Sequence, residues 1–222
     1  MLLALIVLRL LQATPGQAGQ VGQVGQVGQV GQVGRVAQAG DVTQPLDNEY
    51  VRVTRNAAPC STASPSTCGE RVLVALGPIH FEQYGRTRRL ERGEIAVFRW
   101  NESYTAPMTG EFVEVSIKQD HPKVQAPAVS IPPEKNALLY DGESFFVFEE
   151  RLAPGDTRAR HSHSQRVVVV LNDTRLQQWP DGQPEVFRNE IANDVRFNGP
   201  VTHIVKTVGD RPLRNIVIEL KP

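Results

Sequence analysis

Two histidines one residue apart, His161 and His163, come just before the β-branched run "RVVVVL" at 166–171. Residues two apart in an extended strand point to the same face of a sheet, so both imidazoles can reach one metal ion. Neutral imidazole binds first-row divalent metals such as Fe, Mn, Zn and Ni well. A third histidine, His203, follows in "NGPVTHIVKTV", and we expect a returning strand to bring it to the same ion across the domain interior. A histidine near a strand is otherwise most often a hydrogen-bonded bystander.

Other polar side chains flank this trio. Gln165 has the same strand parity as His161 and His163, so we expect it to contact a substrate or ligand. Arg158 and Arg160 precede the pair and are expected to lie at the rim of the site. Four acidic residues have no motif that places them on a metal, and we expect them on solvated strand faces: Glu149, Glu150, Glu190 and Glu219.

Short runs rich in Val, Ile, Phe and Tyr recur after residue 48, separated by turn residues. They are "EYVRVTR", "RVLVAL", "EIAVFRW", "FVEVSIK", "SFFVFEERL", "RVVVVL" and "NIVIEL". No stretch keeps a helical period over a dozen residues. Many short strands at this spacing predict an all-β fold, a sandwich or barrel with little helix.

The chain also contains a long internal repeat. At an offset of 95 residues "RVLVAL" falls on "RVVVVL" without a gap, and "VEVSIK" near residue 115 falls close to "IVIELK" at the end of the chain. We therefore predict two β domains, 48–118 and 137–222, joined by a proline-rich connection at 119–136. The first copy has Ser66, Cys68 and Ala106 where the second has its histidines, so only the second copy is expected to hold a site.

The second copy resembles the cupin family. "PGDTRARHSH" matches the first cupin motif through Gly155, His161 and His163, and "FNGPVTHIVKTVGDRPLRNIVIELK" is similar to the second motif, whose ligand histidine falls on His203. The resemblance implies a double-stranded β-helix, or jelly-roll, barrel for residues 137–222. It also implies a bicupin in which the N-terminal copy is degenerate.

One departure from the cupin pattern concerns the metal ligands. The family has a Glu beyond the second histidine, and here Val167 and Val168 occupy those places. Val167 shares the parity of the histidines and is expected to face inward. Some cupins, including thiol and diketone dioxygenases, use three histidines alone, so the resemblance implies a small-molecule dioxygenase or isomerase. The alternative is a non-catalytic ligand-binding or scaffold module of the same fold, which the missing carboxylate favours.

The N-terminal segment indicates export. "MLLALIVLRLL" is too short to span a bilayer, which needs about 20 apolar residues, and we expect residues 1–18 to be a signal peptide. Residues 19–47 begin with repeats of Gly-Gln-Val and are expected to form a flexible tether. The protein is therefore expected in the periplasm or outside the cell, with attachment to a membrane through this segment as the alternative.

Two cysteines, Cys60 and Cys68, lie close together in "PCSTASPSTCG". In an exported chain such a pair is expected to form a local disulfide. The alternative is two free thiols in a cytosolic protein.

Charge and composition restrict the partners. The chain has 24 basic and 24 acidic residues and a formal net charge of zero, which argues against binding to nucleic acid. No transmembrane domain is expected. A small molecule is the expected partner, and pairing of barrels would also allow a homodimer.

Overall fold

The structure is a computed structural model, and it describes residues 43–56, 69–105 and 110–222. These residues form sixteen strands and one short 3-10 turn, Pro133–Lys135, which confirms the all-β prediction. The first seven strands are β1 (Thr43–Asp47), β2 (Val51–Arg55), β3 (Arg71–Ala75), β4 (Ile79–Gln83), β5 (Arg86–Leu90), β6 (Ile95–Phe98) and β7 (Phe112–Ile117). In the described part of the chain no helix is long and apolar enough to cross a membrane.

Nine further strands follow the proline-rich segment. They are β8 (Asn136–Asp141), β9 (Phe145–Leu152), β10 (Thr157–His163), β11 (Arg166–Val170), β12 (Thr174–Pro180), β13 (Val186–Glu190), β14 (Val195–Asn198), β15 (Val201–Thr207) and β16 (Leu213–Leu220). Six of the seven apolar runs singled out in the sequence contain one of the sixteen strands, and the seventh, "NIVIEL", lies within β16. The sequence "WPDGQ" at 179–183 covers the end of β12 and the start of the turn that leads to β13.

The strands form four sheets. Two are five-stranded, in the orders β1-β2-β7-β3-β6 and β14-β11-β16-β9-β8. The other two are a hairpin, β4-β5, and a four-stranded sheet in the order β10-β15-β12-β13. Because β10 and β11 are consecutive but lie in different sheets, the chain changes sheet at Ser164–Gln165.

The two five-stranded sheets pack face to face. Their shared core contains Val72, Val74 and Val115 from the first sheet and Val167 and Ile216 from the second, all fully buried. Burial of such continuous apolar surface is the main stabilising contribution to a fold of this kind. Each sheet uses its opposite face to cover a smaller core against the β4-β5 hairpin or the four-stranded sheet.

The internal repeat is visible in the strand pairing. The order β7-β3-β6 in the first sheet corresponds to β16-β11-β14 in the second, and the hairpin β4-β5 corresponds to β12-β13. Among the described residues, the histidine-bearing strands β10 and β15 have no counterpart in the first copy. The places that would correspond to them, near 57–68 and 106–109, lie outside the described part.

Several predicted segments are only partly covered. The predicted signal peptide, most of the tether, and Cys60 and Cys68 lie outside the described residues. The last five residues of the range assigned to the tether form β1, which pairs with β2. The connection at 119–136 contains no strand before its last residue, and its Val124 is buried in the core between the five-stranded sheets.

Candidate metal centre

The three histidines lie together on two neighbouring strands. β10 and β15 pair antiparallel, with His161 directly opposite His203, and His163 is two residues further along β10. Directly opposed side chains share one face of the sheet, so all three rings project to the same side. Their ligand atoms lie within 4.8 Å of one another. His203 therefore comes from the adjacent strand of the same sheet and not, as expected, from across the interior.

Two of the rings have their orientation fixed by hydrogen bonds. His161 Nδ1 donates to the carbonyl oxygen of Ala159 at 2.8 Å, and His163 Nδ1 donates to Glu219 Oε2 at 2.7 Å. With both protons on Nδ1, the two Nε2 atoms present lone pairs to each other at 3.0 Å. Two nitrogens bound at right angles to one metal, each about 2.1 Å away, also lie about 3.0 Å apart. A shared cation removes the repulsion between these lone pairs.

The third ring has no partner of its own. Both nitrogens of His203 are buried and lack a hydrogen-bond partner among the described residues. Buried polar atoms are almost always satisfied, and an unpaired one costs about 1–3 kcal/mol. Its unsatisfied nitrogens, next to two lone pairs already directed at one point, fit a metal ligand.

Burial keeps these imidazoles neutral. His161, His163 and His203 are 0%, 4% and 5% exposed. Desolvation lowers the pKa of all three, and that of His203 falls to about 2 because a proton there would also lie next to His161 and His163. Neutral imidazole is the form that binds a metal, so the trio is ready to do so at neutral pH.

Glu219 is part of this centre, although the sequence predicted a solvated position for it. It is fully buried on β16, and its Oε1 accepts a 2.7 Å hydrogen bond from the Ser164 backbone while Oε2 accepts from His163. A carboxylate on the non-ligating nitrogen fixes the ring and increases its basicity. The one sequence signal was a charged residue inside the apolar run "NIVIEL".

The other acidic predictions also need correction. Glu149 and Glu190 are buried, at 4% and 2% exposed, and Glu190 accepts from Arg196 at 2.6 Å. Glu150 is half-buried and accepts from Arg158 at 2.6 Å. Solvated strand faces were therefore the wrong expectation, because these carboxylates pair with arginines inside the fold.

The two flanking arginines behave differently. Arg158 is 1% exposed and pairs with Glu150, so its predicted place at the rim is wrong. Arg160 is exposed and pairs with Asp181, as a rim charge should. Strand alternation alone would place both arginines on one face. The register shift between Arg158 and His161 interrupts the alternation, so that Ala159 and Arg160 are both exposed.

Gln165 makes its contacts away from the histidines. Its Oε1 accepts from the Gln125 backbone at 3.0 Å, and its Nε2 donates to Tyr50 Oη at 3.2 Å. It thus joins the turn after β10 to the proline-rich connection and to the first copy. It does not line the cavity beside the histidines.

A cavity of about 40 Å³ lies beside His163 and His203. A water needs about 10–15 Å³ by this measure, so the space suits about three waters or a ligand of a few heavy atoms. Val168 lines it, whereas Val167 faces the core between the five-stranded sheets. Val167 was expected to face the histidine site. That expectation is wrong, because strand parity does not continue through the change of sheet at Ser164–Gln165. The polar lining residues of the cavity also include Glu150, Arg166, Arg188, Arg196, Asn198 and Asn215.

Comparison with solved structures identifies the fold. A cupin 2 conserved barrel domain protein from Leptotrichia buccalis is similar at a TM-score of 0.54 and 11% identity, over 84% of this chain and 92% of that one. AerE from Microcystis aeruginosa gives 0.52 and 12%, over 78% and 87%. An oxalate decarboxylase from Lactobacillus farciminis, in its formate complex, gives 0.53 and 10%, over 78% and 77%.

These similarities show that the chain has the fold of cupin-domain proteins. At such low identity they carry the fold alone. No protein-family model matches the sequence, and no curated protein matches it either.

Proposed function

We propose that the second copy is a metal-dependent site for a small molecule, in which His161, His163 and His203 bind one divalent first-row cation. Fe, Mn, Zn and Ni all accept imidazole ligands. The observation that carries the proposal is the pair of Nε2 atoms 3.0 Å apart, each with its proton held on the far side of the ring.

The proposed reaction class is that of a small-molecule dioxygenase or isomerase. A metal held by three ligands on one side supplies open positions that polarise or activate a bound oxygen atom. The chain's own contributions are orientation and exclusion of water. Glu219 holds His163, the sheet pairing holds His203 beside His161, and the small buried cavity admits only a few heavy atoms.

One observation favours a second candidate, a non-catalytic binding module. Val168 lines the cavity in the part of the motif where the cupin pattern has its carboxylate. Such a site would have one charged ligand fewer to offer a metal, while its pocket could still bind a ligand. Turnover is what distinguishes the two candidates.

The test is elemental analysis of untagged protein, followed by oxygen uptake after anaerobic loading with Fe(II). We expect one metal per chain in the wild type and none in the His161→Ala/His203→Ala variant. His80→Ala is the matched control, because His80 is exposed on β4. A wild type that binds no metal after reconstitution contradicts the proposal, and metal binding without turnover selects the non-catalytic module.

Four accompanying proposals concern the rest of the molecule. We propose that the first copy is a degenerate cupin domain without metal, that the chain is exported by cleavage near residue 18, and that Cys60 and Cys68 form a disulfide. A homodimer is proposed as the assembly. Intact mass before and after reduction tests the cleavage and the disulfide, and light scattering tests the assembly.

A further inference from the structure

One buried cation in the cavity wall has no counter-ion of its own. Arg166 is 7% exposed and lines the cavity together with His163 and His203. Its guanidinium donates to two backbone carbonyl oxygens, those of Ser164 at 3.2 Å and Gly199 at 2.9 Å. Among the described residues it forms no ion pair with a carboxylate.

The neighbouring carboxylates are already engaged. Glu219 accepts from His163 and Ser164, and Glu190 pairs with Arg196, a second arginine of the cavity wall. Glu150 pairs with Arg158. Both Glu219 and Glu150 act on Arg166 only at longer range.

Arg166 nevertheless keeps its charge. Desolvation lowers the pKa of its guanidinium to about 10, which still leaves it protonated at neutral pH. An unpaired buried charge costs several kcal/mol, so such groups are normally paired or bind an ion.

The first copy has an arginine at the same position, in a different environment. Arg71 occupies the corresponding place in β3, opposite Ser116 of β7, as Arg166 lies opposite Glu219 of β16. Two residues along, Leu73 pairs with Glu114, and that carboxylate is buried inside the first copy.

Glu114 interacts electrostatically with Arg71. Burial raises the pKa of Glu114, while a 2.7 Å hydrogen bond from Tyr104 Oη and the charge of Arg71 oppose that rise. Glu114 is thus a buried carboxylate that interacts with Arg71 without a direct ion pair, and Nε and Nη1 of Arg71 lack a hydrogen-bond partner among the described residues.

The second copy has an apolar residue at that register position. Val168 pairs with Val217, so Val217 stands where the first copy has Glu114. The adjoining positions also differ, because Asn198 replaces Phe98 opposite the arginine. The second copy therefore has a polar cavity where the first has an aromatic core. The one carboxylate in the lining of this cavity, Glu150, is paired with Arg158 and not with Arg166.

We infer that the cavity binds a small carboxylate, with Arg166 as its counter-ion, beside the three-histidine centre. The planar guanidinium matches a carboxylate by paired hydrogen bonds, and Arg188 and Arg196 add positive charge to the same wall. The volume of about 40 Å³ restricts the ligand to a few heavy atoms. This inference rests on the proposed function, because it names the substrate class of that site.

The test measures line broadening of ¹³C-formate and of the neutral isostere ¹³C-formamide by the zinc-loaded protein at constant ionic strength. We expect formate to bind and formamide not to bind. Arg166→Gln should weaken formate binding by about tenfold or more, because a charge-assisted contact is lost. Arg160→Gln is the matched control, since Arg160 is exposed and pairs with Asp181. Zinc content should be unchanged in both variants.

Equal formate binding by the wild type and Arg166→Gln, or equal binding of formate and formamide, overturns the inference. If Arg166→Gln does not fold, Val217→Glu gives the same information, because it places a carboxylate where the first copy has Glu114. Loss of formate binding in that variant supports the inference, and undiminished binding contradicts it. Failure of the wild type to bind zinc is a separate result, which removes the proposed function, and formate selectivity is then measured on the metal-free protein.

Discussion

At the scale of single residues, the candidate site depends on where protons are held. Ala159 and Glu219 each accept the Nδ1 proton of one histidine, which leaves both Nε2 lone pairs facing one point. His203 adds two buried nitrogens without partners among the described residues. Arg166 adds a positive charge in the same cavity. A cation and a small anion are the complementary groups that these side chains lack.

Glu219 gives the first prediction at this scale. Glu219→Gln keeps the shape of the side chain but weakens the charge-assisted hydrogen bond to His163, so metal affinity should fall about 10–100-fold. Competition between the protein and a chelator for zinc measures this. Glu143→Gln is the control, since Glu143 is exposed. An unchanged zinc affinity in Glu219→Gln would mean that the carboxylate does not orient His163.

At the scale of elements, the turn between β9 and β10 sets the start of the histidine strand. Gly155 has a φ of 81°, its N–H donates to the Thr207 carbonyl at 2.9 Å, and Asp156 Oδ2 accepts from the Ala153 backbone at 3.1 Å. The left-handed conformation is the physical reason for glycine at this motif position. The turn thereby links β10 to β15 at the end opposite the paired histidines.

Gly155→Ala should therefore destabilise the protein by about 1–2 kcal/mol, the cost of placing a Cβ in the left-handed region. Urea unfolding measures the change. Gly199→Ala is the matched control, because a Cβ there meets open space and its φ lies outside that region. Equal effects of the two substitutions would show that backbone conformation is not what Gly155 provides.

A second feature at this scale is the ion pair between β9 and β10. Burial alone would raise the pKa of Glu150, but Arg158 and the nearby histidines outweigh it and lower that pKa below its ordinary value. A carboxyl with a lowered pKa stabilises the fold above its unfolded pKa, and this contribution is lost as the pH falls.

Glu150→Gln should cost about 3–5 kcal/mol near neutral pH, because it leaves Arg158 buried and uncompensated. The difference from wild type should begin to shrink below about pH 4.3, the ordinary pKa of Glu, because the carboxyl of the unfolded chain takes up protons there before that of the folded protein does. Urea unfolding at both pH values measures this. Asp181→Asn, which breaks an exposed pair with Arg160, should cost less than about 1 kcal/mol. A pH-independent difference would contradict this account.

At the scale of the whole molecule, the two copies share one core. The two five-stranded sheets bury a common set of apolar residues, and Leu171 lies in it at 1% exposed. Arg92 of the first copy donates to the Leu171 carbonyl at 2.6 Å. Neither copy can lose its sheet without exposing the apolar face of the other, so we expect the copies to unfold together.

Leu171→Ala should reduce the free energy of unfolding by about 2–5 kcal/mol, and it should do so for both copies. Hydrogen exchange of the β3 and β11 amides measures the two effects separately, and both should become faster. Val208→Ala, at an exposed position, is the control. Faster exchange in β11 alone would show that the copies unfold independently.

The sequence by itself determined seven of the sixteen strands, the internal repeat, and the position of His161 and His163 on one face of a strand. Alternating Val, Ile and Phe specify extended structure locally, and parity within a strand depends on neighbours alone. Only the tertiary structure decided that His203 lies opposite His161, that Val168 and not Val167 lines the cavity, and that Glu219 and Arg166 belong to the site. These features depend on which strands pair, in which register, and where the chain changes sheet. Such choices are made by packing between residues far apart in the chain, and no local pattern records them.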